Sequence, residues 1–190
     1  MKDLALCPRD RRCGGSLQDP KRDGFGRYPA PLGTGLNPTG PTGWSRLEQL
    51  LNDVDPSLCK LWMGGDRALR SSNSDRIRHF TTSLRELWGH TVRAIATDDA
   101  IKRWTSDPTH FHNGRPTRRT RLLHVCRDIN HGPFTEFVEK DVDATLEFLE
   151  LFHQGTHDVS SSFTEQQLEA MKDRMEATLR FLLEIWKRRS

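Results

Sequence analysis

The sequence lacks any long run of apolar residues. Only 34% of its 190 residues are hydrophobic, and no stretch of about 18 apolar residues occurs, so we expect no transmembrane helix. The N-terminus has no apolar segment of the kind that secretory signals contain, and the four cysteines are too few for a disulfide scaffold. We therefore expect a soluble, cytoplasmic protein that does not associate with membranes.

A basic surface is also lacking, because the net charge of +3 arises within the first 43 residues. That segment has seven basic and four acidic side chains, which leaves residues 44–190 neutral. It also contains eight glycines and six prolines, and too few apolar residues to offset the entropy of a folded chain. No phosphate-binding loop or zinc hairpin is recognisable in it. We predict a flexible Gly/Pro-rich tail over residues 1–43 and one folded domain over residues 44–190.

Beyond residue 44, apolar residues recur every three or four positions, as in helices with one buried face. Asp55 followed by Pro56, and Thr164 with Gln167 three residues later, mark helix starts. No segment alternates like a half-buried strand, and residues 108–116 are expected to form a polar loop. We predict an all-α fold, a single bundle of five or six helices. The clearest buried face is expected at Ile77, Phe80, Leu84, Leu87, Trp88, Thr91, Val92 and Ile95.

Charges of opposite sign are concentrated in two consecutive helical segments. Residues 102–127 have a net charge of +6, and residues 134–158 have a net charge of −6. Arginines in the first turn of a helix are unfavourable beside the positive end of its dipole, unless an anion lies over that end. This anion is either the acidic helix or a nucleic-acid phosphate. The candidate phosphate-binding residues are Arg115, Arg118, Arg119, Arg121 and His124.

Four arginine–histidine pairs have the Arg-x(4–6)-His spacing of the ribonuclease signature in HEPN domains, which are all-α nucleases. An arginine-rich chain with eight histidines produces about this many matches by chance, so the spacing alone indicates nothing. The pairs are Arg85 with His90, Arg118 and Arg119 with His124, and Arg103 with His110. Five residues rotate a helix by about 140°, so Arg85 and His90 share a face only if the helix bends at Gly89.

Two histidine pairs have the spacing of metal ligands. His110 and His112 are separated by one residue, whereas His153 and His157 are four apart. The second pair lacks the intervening glutamate of a hydrolytic zinc helix, and Gly155 is expected to end the helix between its members. We therefore expect neither a metal nor a cofactor.

Three segments, taken in order, resemble a known family. Residues 73–88, with Ser-Leu-Arg-Glu-Leu-Trp at their end, residues 115–122 (Arg-Pro-Thr-Arg-Arg-Thr-Arg-Leu) and residues 154–157 (Gln-Gly-Thr-His) carry the similarity. They resemble the predicted nuclease domain associated with prokaryotic PIWI-like defence systems and, more loosely, all-α abortive-infection domains. The resemblance spans residues 55–187 and implies a defence effector that acts beside a partner protein. The matching polar positions are Arg85, Glu86, Arg118, Arg121 and His157, and Asp158 stands where relatives are expected to have a basic residue.

The leading hypothesis is an effector of an antiviral defence or toxin system, a metal-independent nuclease that acts on RNA or DNA, with RNA as the favoured substrate. His90 or His157 would be the general acid or base, and arginines at 85, 118 and 121 would hold the scissile phosphate. Two alternatives stay open: a non-catalytic helical subunit that docks a larger defence enzyme, and a nucleic-acid-binding module without turnover. By analogy with HEPN sites formed between two copies, a homodimer is also expected.

Overall fold

A computed structural model of the protein describes residues 43–157 and 163–189. The predicted tail, except Gly43, lies outside the described residues, as do Asp158 and the side chain of His157. Seven α-helices dominate the described part, which confirms the predicted all-α class. They are α1 (Arg46–Val54), α2 (Pro56–Leu69), α3 (Arg76–Ile95), α4 (Asp98–Trp104), α5 (Arg118–Cys126), α6 (Phe134–His157) and α7 (Glu165–Lys187).

The predicted polar loop over residues 108–116 is more regular than expected. It forms a 3-10 turn, Pro108–His110, and an antiparallel hairpin of β1 (Phe111–His112) and β2 (Arg115–Pro116). Asn113 and Gly114 connect the strands with φ values of 50° and 74°. Positive φ at both central positions defines the type I′ turn, for which Asn-Gly is a preferred sequence. The sequence pattern does not predict this hairpin, because strands of only two residues are too short to show an alternation of apolar and polar residues.

Local side-chain hydrogen bonds mark the start of several helices. Asp55 accepts from the Ser57 amide at the start of α2, as its position before Pro56 predicts. At the start of α7, the Thr164 hydroxyl and the Gln167 side chain form the predicted capping box. Ser45 and Glu48 form a second capping box at α1.

The central element of the core is α3, which packs against α2 and α6 and also contacts α1, α5 and α7. Seven of the eight residues predicted for its buried face are buried, and Ile77 is partly buried against the same core. None of the helices in residues 43–157 and 163–189 combines the length and the apolar character that crossing a bilayer requires.

Gly155 does not end its helix, contrary to the prediction. The α6 helix continues to His157, and Gly155 is buried against Thr81 of α3. A Cβ atom at position 155 would lie only 2.5 Å from Thr81 Cγ2. The glycine is therefore required for close packing between two helices rather than for a helix end.

Candidate active site

An open cleft of about 340 Å³, which we call the arginine cleft, lies where α3, β2, α5 and α6 meet. Five arginines line it, together with one glutamate and one histidine. These polar residues are Arg85, Glu86, Arg93, Arg115, Arg118, Arg121 and His153.

Helical spacing places the α3 contributors on one side of the arginine cleft. Arg85, Gly89 and Arg93 are four residues apart and therefore follow one another along the same face of α3. Gly89 has no side chain, and the Arg93 guanidinium extends over it, 3.3 Å from the position that a Cβ atom would occupy. The glycine thus allows the Arg93 side chain to lie along the helix toward Arg85.

The other side of the arginine cleft is built by the hairpin and the start of α5. The Asn-Gly turn returns the chain so that Arg115 and Pro116 of β2 enter the cleft wall. Thr117 then caps α5 through a hydrogen bond from the Thr120 amide to its hydroxyl. Arg118 therefore stands in the first turn of a helix, where the partial positive charge of the helix end adds to its own charge.

Most of the positive charge in the cleft has little compensation. Arg85 pairs with Glu86 at 3.1 Å. Arg118 is 3.8 Å from Glu150, and the side chains of Arg118 and Glu150 are both more than half exposed. Arg93 and Arg115 are exposed and have no ion-pair partner in the described parts of the chain. An exposed pair such as Arg118 with Glu150 is worth little, so the cleft retains a net positive field.

His153 of α6 lies directly beside Arg118. Both terminal nitrogens of the Arg118 guanidinium are 3.3 Å from His153 Nε2. Because arginine can only donate, a hydrogen bond between the two side chains uses Nε2 as the acceptor, which requires the ring tautomer that has its proton on Nδ1. The arrangement places an accepting ring nitrogen next to the guanidinium of Arg118.

Arg121 has a different environment, although its side chain reaches the cleft wall. It is 8% exposed, donates to the Ala96 carbonyl oxygen at 2.6 Å, and pairs with Asp98 at the start of α4. The hydrogen bond from Arg121 lowers the pKa of the Asp98 carboxyl below its ordinary value. Arg121 therefore holds α5 against the chain that leads into α4, and its charge is already neutralised.

Three other predicted site residues lie outside the lining of the arginine cleft. His90 is more than half exposed, and its Nε2 atom is 3.7 Å from the Glu86 carboxylate. Arg119 pairs with Asp143 of α6. His124 is 4% exposed and packs its ring edge-on against Trp104, at 5.4 Å between ring centroids. The side chain of His157 is outside the described residues.

The opposite charges of α5 and α6 are therefore only partly paired with each other. The Arg119–Asp143 pair and the long Arg118–Glu150 contact join the two helices, as expected if the acidic helix supplies the anion for the arginines of α5. Arg115 has no such contact within the described residues, and Arg121 pairs with α4 instead. Packing thus separates a neutralised group of arginines from one that faces solvent.

Sequence reasoning missed Arg93 and His153 as members of the cleft. The sequence could have indicated Arg93, because it follows Arg85 by eight residues and therefore lies on the same face of the helix. The sequence spacing of His153 and His157 suggests only a pair of metal ligands. Nothing local to α6 indicates that His153 faces Arg118, because that contact depends on how α5 and α6 pack.

Residues with metal-ligand chemistry do not cluster in the described part of the chain. Neither 43–157 nor 163–189 contains a group of three or more His, Cys, Asp or Glu side chains that could hold a metal ion. His110 is 3.2 Å from the Thr120 hydroxyl through its Nδ1 atom, and His112 is exposed.

The comparisons with known proteins agree with the resemblance seen in the sequence. Neither the curated proteins nor the solved structures gave a significant match. One family model, described as a predicted pPIWI-associating nuclease, matches residues 47–182, which covers more than half of the chain and includes every described residue that lines the arginine cleft. The chain therefore belongs to the family of predicted pPIWI-associating nucleases.

Proposed function

We propose that the protein is a defence nuclease that binds RNA in the arginine cleft and cleaves it without a metal ion. The observation that carries this proposal is the convergence of arginines from α3, β2 and α5 around one histidine in an open cleft. Guanidinium groups are well suited to a phosphodiester, since their planar N–H donors match phosphate oxygens. Membership of a nuclease family supports the same conclusion.

Arg118 and Arg115 are the proposed phosphate-binding pair, with Arg85 and Arg93 on the opposite wall. In the free protein, the Arg118 guanidinium is directed at His153 Nε2. A bound phosphate would compete for Arg118, which would leave Nε2 available for proton transfer. The arginines would then stabilise the negative charge that develops on the phosphate oxygens in the transition state.

Glu86 and His153 are the proposed proton-transfer groups among the residues that line the cleft. One of them removes the proton from the ribose 2′-hydroxyl, whose oxygen attacks the phosphorus atom. The bond from phosphorus to the 5′-oxygen breaks, and the other group donates a proton to that leaving oxygen. The products are a 2′,3′-cyclic phosphate and a free 5′-hydroxyl. DNA lacks the 2′-hydroxyl, so it would bind without being cleaved by this route.

The test compares an RNA oligonucleotide with DNA of the same sequence, in EDTA, with and without the partner protein. Wild type should cleave only the RNA. Arg118→Gln should lower the cleavage rate by about 100-fold, as for a lost transition-state donor. The matched control is Arg119→Gln, which changes the neighbouring arginine that pairs with Asp143 and should leave the rate within about threefold.

The histidine assignment is tested in the same assay. His153→Gln should lower the rate by about 100-fold or more, the usual contribution of a general acid or base. His90→Gln and His157→Gln measure the two histidines that the sequence suggested. Cleavage that needs a divalent metal, equal cleavage of DNA, or equal effects of Arg118→Gln and Arg119→Gln would contradict the proposal.

A docking role is the second candidate, and an exposed aromatic pair favours it. Phe134 and Phe137 at the start of α6 are 57% and 53% exposed, with ring centroids 6.4 Å apart. Large exposed aromatics are typical of protein–protein interfaces, and the family description names a pPIWI partner. A Phe137→Ser variant that loses the partner but still cleaves RNA would assign docking to this surface and chemistry to the cleft.

A further inference from the structure

A second cleft, of about 420 Å³, lies at the other end of α5 and is separate from the arginine cleft. We call it the tryptophan cleft, because Trp104 of α4 and Trp186 of α7 both line it. Three arginines, Arg103, Arg127 and Arg189, contribute the charged part of its wall. The two clefts share no lining residue.

Arg127 and Arg189 are fixed in place, yet each retains donors that make no bond. Arg127 Nη1 donates to the His124 carbonyl oxygen and contacts His124 Nε2, both at 2.9 Å. Arg189 Nη1 donates to the carbonyl oxygens of His124 and Val125 at the end of α5. The Nη2 group of each arginine has no hydrogen-bond partner in the described residues.

The charges of these arginines are incompletely balanced. Asp128 is shared between them, 3.7 Å from Arg127 Nε and 2.6 Å from Arg189 Nε. Burial lowers the pKa of the Arg127 guanidinium, and the nearby positive charge of Arg189, which repels that of Arg127, lowers it further. Arg103 is exposed and has no ion-pair partner in the described parts of the chain. An anion between these groups would relieve the repulsion.

Trp104 supplies an aromatic surface beside this positive charge. It is 38% exposed, and the ring of His124 packs edge-on against it, which holds its orientation. His124 itself is buried, and burial lowers its pKa to about 4, so it is neutral at pH 7 and adds no charge to the cleft. An ordered aromatic ring next to several guanidinium groups matches a base joined to a phosphate.

We propose that the tryptophan cleft binds a nucleotide, with the base stacked on Trp104 and the phosphate held by Arg103, Arg127 and Arg189. The nucleotide is either free or part of a nucleic-acid strand, and both sources present the same chemistry. This site involves no proton transfer and none of the residues assigned to RNA cleavage. Its existence therefore does not depend on the proposed nuclease reaction.

The experiment is calorimetric titration of the full chain with AMP and, separately, with the deoxyribonucleotide oligomer d(A)10. Trp104→Leu should weaken binding at least about fivefold, since stacking of a base on an aromatic side chain contributes this much or more. Its matched control is Trp44→Leu, because Trp44 is equally exposed, at 37%, but does not line the tryptophan cleft. Arg103→Gln should also weaken binding, whereas Arg180→Gln, an exposed arginine of α7, should not.

The two titrants distinguish the sources of the nucleotide. Binding of AMP that depends on Trp104 and Arg103 identifies a free nucleotide as the ligand. Binding of d(A)10 alone with the same dependence identifies a strand, and repeating that titration in Arg118→Gln removes a contribution from the arginine cleft. The proposal is overturned if neither titrant binds at about 1 mM, or if Trp104→Leu and Arg103→Gln bind like their controls.

Discussion

At Gly155, α6 approaches α3 too closely to admit a side chain. Its neighbour Thr81 is fully buried, and the Thr81 hydroxyl donates to the Ile77 carbonyl oxygen at 2.9 Å. That bond fixes the side-chain rotamer, so the methyl group of Thr81 cannot turn away from an added atom. The site has no room for even one methyl group.

Gly155→Ala should therefore destabilise the protein by about 1–3 kcal/mol, the usual cost of overpacking a close-packed core. Urea unfolding measures the change. Removing the opposing methyl group with Thr81→Ser should restore part of the lost stability in the double variant. A Gly155→Ala protein as stable as wild type would show that the helices separate easily.

The matched control is Gly64→Ala in α2. An added Cβ atom at Gly64 would have its nearest neighbour, Ser83 Oγ, at 3.8 Å, which is ordinary contact. Alanine is the better helix former by about 0.5–1 kcal/mol, so Gly64→Ala should be neutral or stabilising. Opposite signs for the two substitutions would separate packing from helix propensity.

The N-terminal capping box of α7 is formed by two residues within a four-residue segment, Thr164 and Gln167. The backbone amide of Gln167 donates to the Thr164 hydroxyl at 3.2 Å, and the backbone amide of Thr164 donates to the side-chain oxygen Oε1 of Gln167 at 2.8 Å. Both bonds satisfy amides that have no partner within the helix. Because every participant is close in sequence, this element start was predictable without tertiary information.

Thr164→Ala should lower the free energy of unfolding by about 1 kcal/mol, the typical loss at an N-cap. Thr164→Ser keeps the hydroxyl and should stay within a few tenths of a kcal/mol of wild type. Thermal and urea unfolding of both variants provide the measurement. If the Thr164→Ala and Thr164→Ser variants are equally stable, the cap does not contribute to the stability of the folded protein.

Burial of His124 links the stability of the whole molecule to pH. Burial, followed by the charges of Arg127 and Arg189, lowers its pKa in the folded state from 6.5 to about 4. Between these values the unfolded chain binds a proton at this position and the folded chain does not. Stability therefore rises with pH across that window and is lost as the pH falls from about 6.5 toward 4.

His124→Gln should remove this part of the pH dependence while keeping an acceptor for Arg127. We expect the variant to lose less stability than wild type between pH 7 and pH 4.5, by up to about 3 kcal/mol. Urea unfolding at several pH values measures the difference, and His112→Gln, at an exposed histidine, is the control. Parallel pH profiles for His124→Gln and wild type would contradict the assignment.

The helical class, the starts of α2 and α7 and the family could all be read from the amino-acid sequence. These follow from local patterns: apolar spacing along α3, caps at Asp55 and Thr164, and short segments in a fixed order. The Asn113-Gly114 turn is also encoded locally, although its two-residue strands are too short to be recognised by alternation. Arg85 and Arg118, which both line the arginine cleft, were already candidates in the sequence, because Arg85 lies in a segment that carries the family resemblance and Arg118 lies in the first turn of its helix.

Which charged residues face the same cleft, and which are already neutralised, depends on how the helices pack. Arg118 and Arg121 are three residues apart, yet one faces solvent beside His153 and the other is buried against Asp98. Arg93 and His153 join the cleft, whereas His124 is enclosed by Trp104 and Arg127. The electrostatic state of a side chain depends on its neighbours in space, and these come from segments far apart in the chain.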